Sequence, residues 1–299
     1  MNPQGILLVN KPKGITSFKA LAPIKRNFGV KVGHTGTLDR FAEGLLVVLI
    51  GSMTRMNPMF TGFDKSYEAV ITFGKETDTL DPEGKVIKEG EIPCYEEIKM
   101  LLPTFIGESD QTPPQFSAVH VGGKRAYKSA LAGEEVVIPP RRINIKDIRL
   151  LSWDSPELKI SVDCSKGTYI RSLARDIAYK LGTCGHVTQL KRTSVGQFDI
   201  KDSTLPEELS FEHIVTPWDI FDILGGISKI TIDSTYIKSI LCGSLPRDRW
   251  ILSKQIKENS TLCGVFTIDN ELLGVCVCTI DSGDISYDSY KFVVAAGNR

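Results

Sequence analysis

Residues 33–51 constrain this chain more than any other stretch. They read Gly33-His34-Thr35-Gly36-Thr37-Leu38-Asp39-Arg40-Phe41-Ala42-Glu43-Gly44, then Leu45 to Ile50 without a polar residue, then Gly51. An apolar run of this length bounded by glycines predicts a buried strand. The segment before it predicts a structured loop, because glycine accepts left-handed and tight backbone that a Cβ opposes. Functional groups often sit on such loops, held by a rigid scaffold. His34 and Asp39 are the groups displayed. From the residues alone two readings stand. Asp39 can be a turn or N-cap residue on backbone N–H groups, with His34 a structural hydrogen-bonding group, or the two can carry chemistry. The loop has neither the Gly-Lys-Ser/Thr ending of a P-loop nor Gly-x-Gly-x-x-Gly spacing.

The flanking chain alternates strand and helix signals. Residues 5–9 predict a short buried strand, and Asn10-Lys11-Pro12-Lys13-Gly14 a turn with solvated lysines. Thr16 or Ser17 can cap a helix running to about Phe28, which Pro23 should kink or delay. Residues 65–74 predict a strand with Tyr67, Ala69, Ile71 and Phe73 on one face. Residues 77–84 are acidic and turn-rich without EF-hand spacing. Ile98, Leu101, Leu102 and Phe105 predict an amphipathic helix over 95–106. Residues 158–165 alternate as a half-buried strand, and Ile170, Leu173, Ile177 and Leu181 form one face of a helix stopped by Gly182. Tyr169 and Arg171 then fall at a strand-to-helix junction, where free N–H groups favour anions. Beyond Gly225-Gly226, β-like runs at 229–232, 261–268, 272–280 and 291–295 predict a small β domain.

Charge and cysteine usage narrow the class. The 299 residues carry no formal net charge, which does not announce a nucleic-acid binder. The distribution says more. Residues 112–199 hold 14 basic and 8 acidic residues, against 13 and 14 before them and 9 and 14 after them. Within that basic middle, Lys124, Arg125, Lys128, Arg141 and Arg142 surround Tyr127. This is either a surface that closes on a phosphate backbone or an ordinary charged face. Seven scattered cysteines and four isolated histidines predict neither a disulfide framework nor a zinc site. No signal peptide or membrane-length apolar run is present, so a reduced, cytoplasmic protein is expected.

Gly-His-Thr-Gly-Thr-Leu-Asp followed by Ala-x-Gly-Leu-Leu resembles the signature loop of the TruB-type tRNA pseudouridine synthases. Lys-Pro-x-Gly-x-Thr-Ser at 11–17, Thr-Asp-Thr-x-Asp-x-x-Gly at 77–84, Cys-Ser-Lys-Gly-Thr-Tyr-Ile-Arg at 164–171 and the 186–196 stretch resemble further family motifs, in order. The resemblance covers about two thirds of the chain. It implies an α+β fold with a mixed, mainly antiparallel sheet and a central cleft, over residues 1–226. A thumb insertion at about 116–145 would fold over RNA, and residues 227–299 would form a β-rich PUA-like RNA-binding domain.

The implied reaction converts uridine to pseudouridine at position 55 in the T-loop of tRNA. Asp39 would be catalytic and Arg171 its partner, since a guanidinium orients a carboxylate and balances its charge. Tyr67 would lie against the flipped base, with Tyr169 and Leu190 as further walls and His34 near the vacated position. Lys11, Lys124, Arg125, Arg141 and Arg142 would hold phosphates. A redox-neutral isomerisation requires no metal and no cofactor. The tRNA T-arm is the expected partner, with no membrane, no obligate protein partner and a monomeric state. Arg40, Phe41 and Glu43 depart from the family's loop. A non-catalytic tRNA-binding or RNA-folding protein on the same scaffold is the alternative, which loss of Asp39 or Arg171 would have favoured.

Overall fold

The computed structural model describes residues 3–121, 123–133, 136–281 and 284–294, less the side chains of Lys124, Arg125, Lys128 and Ser129. Its centre is the apolar run. β1 (Gly5–Lys11) leads through α1 (Ser17–Phe28) and β2 (Val32–His34) to β3 (Glu43–Ile50), which pairs antiparallel with both strands. Leu45, Val47 and Leu49 enter a cluster with Phe60 and Phe198. Leu46, Val48 and Ile50 enter another with Ala20, Leu21 and Ile24 of α1. Burial on both faces explains why this strand shows no polar alternation. Thr16 caps α1, its hydroxyl accepting the Lys19 N–H at 3.1 Å. Pro23 lies inside this helix and does not delay its start, because the cap fixes the first turn ahead of it.

The chain continues through α2 (Asn57–Thr61), β4 (Lys65–Phe73), a hairpin of β5 (Lys75–Thr77) and β6 (Val86–Glu89), and α3 (Tyr95–Leu101). The helix expected over 95–106 therefore ends early. Residues 102–105 tighten into a 3₁₀ turn around Pro103, which has no N–H to continue the α ladder. Next come β7 (Gly107–Gln111), β8 (His120–Val121), β9 (Lys124–Arg125), α4 (Ala126–Leu131), β10 (Arg141–Asp154), β11 (Glu157–Cys164), α5 (Ile170–Lys180), β12 (Gly185–Val195) and β13 (Phe198–Asp199). The main sheet runs β1-β3-β12-β4-β11-β10-β7, with β2 on β3 and β13 on β12. Tyr67, Ala69, Ile71 and Phe73 share one buried cluster with Ile170, Leu173 and Ile177 of α5, as the period of two predicts.

All neighbours in this sheet are antiparallel except β12 and β3, which meet in parallel over Lys191–Glu43 and Arg192–Gly44. The class is therefore α+β with a mixed, mainly antiparallel sheet.

α6 (Pro217–Leu224) leads to a second sheet. Its elements are β14 (Ser228–Ile232), α7 (Ile237–Leu241), β15 (Ile251–Gln255), β16 (Leu262–Phe266), β17 (Leu272–Asp281) and β18 (Asp284–Val293), with strand order β15-β14-β16-β17-β18. Phe221 of α6, Phe266 and Val275 share one cluster with Ile6 and Leu45, so this sheet packs on the first. β15 carries a largely exposed face and gave no apolar run to read. β18 begins at 284 rather than 291 for the same reason.

Gly44 fixes the contact between β3 and β12. Its φ is +108°, and a Cβ there would stand 2.3 Å from the Arg192 carbonyl oxygen. Both strain and backbone collision oppose any side chain. Gly44→Ala is expected to destabilise the fold by about 3 kcal/mol or more, read as a lowered urea midpoint with unchanged slope.

Candidate active site

Arg171 occupies the second position of α5, with its side chain only 5% exposed. Its guanidinium gathers four acceptors from three segments. Nη2 donates to Asp39 Oδ1 at 3.2 Å and to the Phe116 carbonyl at 2.9 Å. Nη1 donates to the Thr79 carbonyl at 2.8 Å and to Asp81 Oδ2 at 3.4 Å. Nε lies 2.9 Å from Asp39 Oδ2 as a charge contact, without the alignment of a hydrogen bond. Asp39 thus meets the fork with both oxygens while its side chain stays 36% exposed. Asp81 is the buried partner. Its Oδ1 accepts the Thr79 hydroxyl at 2.6 Å and the Glu83 N–H at 3.0 Å.

Each participant is held from behind. Ser17 Oγ accepts the Leu38 N–H at 2.8 Å and donates to the Leu38 carbonyl at 3.0 Å, tying the signature loop to α1. Gln111 clamps the Tyr169 backbone, accepting its N–H at 2.8 Å and donating to its carbonyl at 3.2 Å. The Tyr169 N–H at the head of α5 is therefore taken by an amide, not left open to an anion. Arg192 donates through Nε to the Leu45 carbonyl at 2.8 Å and through Nη2 to the Gly36 carbonyl at 3.0 Å. Arg40 points away, its Nε donating to the Gly14 carbonyl at 3.2 Å and lying 3.5 Å from Glu83. This departure in the loop braces the turn after β1 and leaves Asp39 clear.

These groups line a cavity of about 450 Å³. Asp39, Arg171, Tyr67, Tyr169 and Leu190 all border it, so five residues far apart in sequence share one chamber. Tyr67 and Leu190 are 8% and 7% exposed. Burial raises the affinity of both phenols, Tyr67 and Tyr169, for their protons. Tyr169 also packs on Val119, Ala126 and Ile138, linking the cavity to the 116–145 excursion. A second hollow of about 280 Å³, bordered by Glu68, Val70 and Lys159, contains neither Asp39 nor Arg171.

Several expected contacts differ. Lys11 is not a solvated phosphate contact. It is fully buried, its ammonium donating to the Pro12 carbonyl at 2.9 Å and the Ile15 carbonyl at 2.8 Å. Desolvation pulls it down to about 8, against the opposing pull of nearby Asp39. His34 stands on β2 rather than on the loop and does not border the cavity. Its Nδ1 is buried without a partner, and burial together with Arg192 holds the imidazole below its usual value, hence neutral. Arg142 is exposed but bonded to Glu108 at 3.1 Å, with Asp110 at 3.8 Å. Arg141 lies beside it on β10, exposed. The side chains of Lys124 and Arg125 lie outside the described residues. Asp81, Arg192 and Gln111 were not foreseen. Asp81 and Arg192 sit inside recognised motifs, but linear spacing does not tell a buried ion-pair partner from a turn aspartate.

Among the described residues no three His, Cys, Asp or Glu side chains are grouped to hold a metal, and no helix is long and apolar enough to cross a membrane.

Comparison with known proteins points the same way. Residues 24–170 match the N-terminal domain of the TruB family pseudouridylate synthases, and residues 171–215 the C-terminal domain of tRNA pseudouridylate synthase B. The second sheet lies beyond both matches. A tRNA pseudouridine synthase B of Borrelia garinii subsp. bavariensis is 42% identical, over 97% of this chain and 98% of its own. One from Caldanaerobacter subterraneus subsp. tengcongensis is 40% identical, over 89% and 94%. Among solved structures, a chain of a Cbf5–Nop10–Gar1 complex superposes with TM-score 0.66 at 22% identity, over 97% of this chain and 85% of that one. That likeness concerns the fold alone.

Two outcomes follow from the charge arrangement. Asp81→Asn removes one of the two carboxylates on buried Arg171 and is expected to destabilise the protein by up to about 3 kcal/mol, read in urea denaturation. Lys11 folds with a value lowered from 10.5 to about 8. Between those limits the unfolded chain binds more protons there than the folded one, so this contribution to stability rises with pH. The stability of wild type relative to Lys11→Met should therefore climb from pH 8 to 10.5, measured by denaturation at fixed ionic strength.

Proposed function

Because the chain belongs to the TruB family of pseudouridylate synthases, and so to the isomerases that make pseudouridine in tRNA, we propose that it acts on the T-loop uridine at position 55 with Asp39 as its catalytic group. The observation that carries this is the Asp39 carboxylate: open to a cavity on one side, held by both oxygens against Arg171 on the other. A uridine in a folded RNA loop must leave its stack to reach it, at a cost of a few kcal/mol. Stacking on an aromatic side chain offsets about 1–3 kcal/mol of that. Tyr67 is the candidate surface, with Leu190 on the neighbouring strand as an apolar wall and Tyr169 nearby.

The chemistry asks little more. The bond from ribose C1′ to N1 breaks, the uracil turns, C1′ bonds to C5, and the hydrogen of C5 leaves as a proton. A carboxylate serves as nucleophile or base in this sequence. Arg171 keeps it aimed and shields it from the RNA's charge. Arg141 and the 116–145 excursion would lie along the RNA backbone and give binding its salt dependence. Arg142 contributes less, because Glu108 and Asp110 already oppose its charge. The second sheet, as a PUA-like domain, would meet the tRNA away from the T-loop.

The test is tritium release from tRNA labelled at uridine C5, with wild type against Asp39→Asn. Wild type should convert one T-loop uridine, and the variant should bind the tRNA yet lose roughly a thousandfold or more in rate. Retained turnover in Asp39→Asn would remove the aspartate from this role. Tight binding without release by wild type would favour an RNA-folding role on the same scaffold.

A further inference from the structure

The cavity contains two positive charges that no carboxylate among the described residues answers. Arg171 has Asp39 and Asp81. Buried Lys11 lies in the field of Asp39 and Glu43. Lys229, the buried amine beneath the second sheet, has Asp222 at 2.6 Å. Lys65 and Arg192, however, both border the cavity, and no carboxylate among the described residues lies within 4 Å of either. Arg192 is 2% exposed and rests on the carbonyls of Leu45 and Gly36. The Lys65 ammonium donates to the carbonyls of Thr61, at 3.2 Å, and Phe63. That leaves one of its three hydrogens uncommitted.

The two cations flank one open spot. A Cβ built on Gly36 would lie 3.6 Å from Arg192 Nη1 and 4.0 Å from Lys65 Cε. Gly36 needs no left-handed backbone, so what its missing side chain leaves is room between the charges. One buried and one half-buried cation side by side without a counter-charge are costly unless an anion joins them. Lys65 also stands two residues before Tyr67 on the same face of β4, while Arg192 pairs with Tyr67 across the sheet. An anion bound here would therefore sit beside the surface proposed for the base.

We infer that Lys65, backed by Arg192 and opened by Gly36, is a phosphodiester subsite that holds a backbone phosphate of the flipped nucleotide. This rests on the proposed function, since it presumes that a nucleotide enters this cavity. Lys65 is the contacting group. Arg192 is a positioning residue that braces the signature loop and adds positive field. The groups acting on Lys65 are Arg192 from β12, Cys164 from β11, Lys166 after β11 and Asp64 next to it in sequence. Asp64 is itself engaged by Lys146 at 2.5 Å. Burial and Arg192 bring the ammonium down to about 8 in the free protein. A bound phosphate favours the charged form, so binding should take up a proton above that pH.

The experiment compares full-length wild type, Lys65→Met and Lys65→Arg by initial rates of tritium release from C5-labelled tRNA. Salt is varied from about 50 to 200 mM. The inference expects Lys65→Met to raise KM about tenfold, with the loss in KM rather than kcat. The dependence of log KM on log salt should shallow by about 0.7, the share of one single-strand phosphate. From pH 7 to 9 the wild-type KM should rise, whereas Lys65→Arg should keep a low, flat KM. Wild-type KM and salt slope in Lys65→Met would overturn the subsite, as would a loss confined to kcat, which would put the lysine on the base. Failure of Lys65→Arg to restore KM would overturn it too. A wild type that releases no tritium would instead overturn the proposed function. Direct tRNA binding by the same three proteins would still read the slope.

Discussion

A guanidinium that is nearly inaccessible to water needs acceptors for its N–H groups, and facing carboxylates offset the cost of burying its charge. In this protein that demand organises the chamber. Arg171 draws Asp39 from the signature loop, Asp81 and Thr79 from the loop after β5, and Phe116 from the start of the basic excursion. A lysine has no planar fork to face two carboxylates at once. The same contacts that satisfy the cation determine how the partly exposed carboxylate of Asp39 faces the cavity. Stability and aim are thus one arrangement, and the loops of the site do not float independently of the core.

The sheet supplies the second half of the construction by simple alternation. On β4, Tyr67 and Ala69 face α5 and the cavity side, while Glu68 faces away and pairs with Lys159 at 3.0 Å. A slip of one residue in register would exchange these faces. Irregularities in the pairing of β12 with β4 fall at Val187/Gln189 and Arg192/Ser194, on either side of Leu190. Between them the register is regular, so Leu190 and Arg192, two residues apart, share one face and both border the chamber.

What could be read from the sequence divides along physical lines. Long periodic segments were plain: the buried run of β3, the Tyr67 face of β4 and the Ile170–Leu173–Ile177 face of α5. Asp39 and Arg171 stood out because intact motifs carried them, and they meet in space. Lys11 misled for the opposite reason. A lysine beside proline and glycine reads as a solvated turn, and nothing local reveals that its amine turns inward to two carbonyls. Asp81 and Arg192 owe their roles to neighbours about 90 and 150 residues away, which no local periodicity encodes. β15 and β18 escaped because edge-facing strands with polar surfaces lack the apolar signal that marks a buried one.

The two-residue parallel junction of β12 with β3 has a temporal meaning as well as a spatial one. Arg192 braces the Gly36 loop from a strand made long after that loop has left the ribosome. At about 5–20 residues per second, the interval between the two is roughly 8–30 s. For most of it the loop bearing Asp39 lacks Arg171, and to its end it lacks the complete strand that separates β3 from β4 in the finished sheet. Contacts this distant in sequence also slow folding, because a large loop must close before they form. A nascent chain therefore carries its carboxylate with no chamber around it. Competence for RNA arrives late and all at once, when β12 slots between two strands already made.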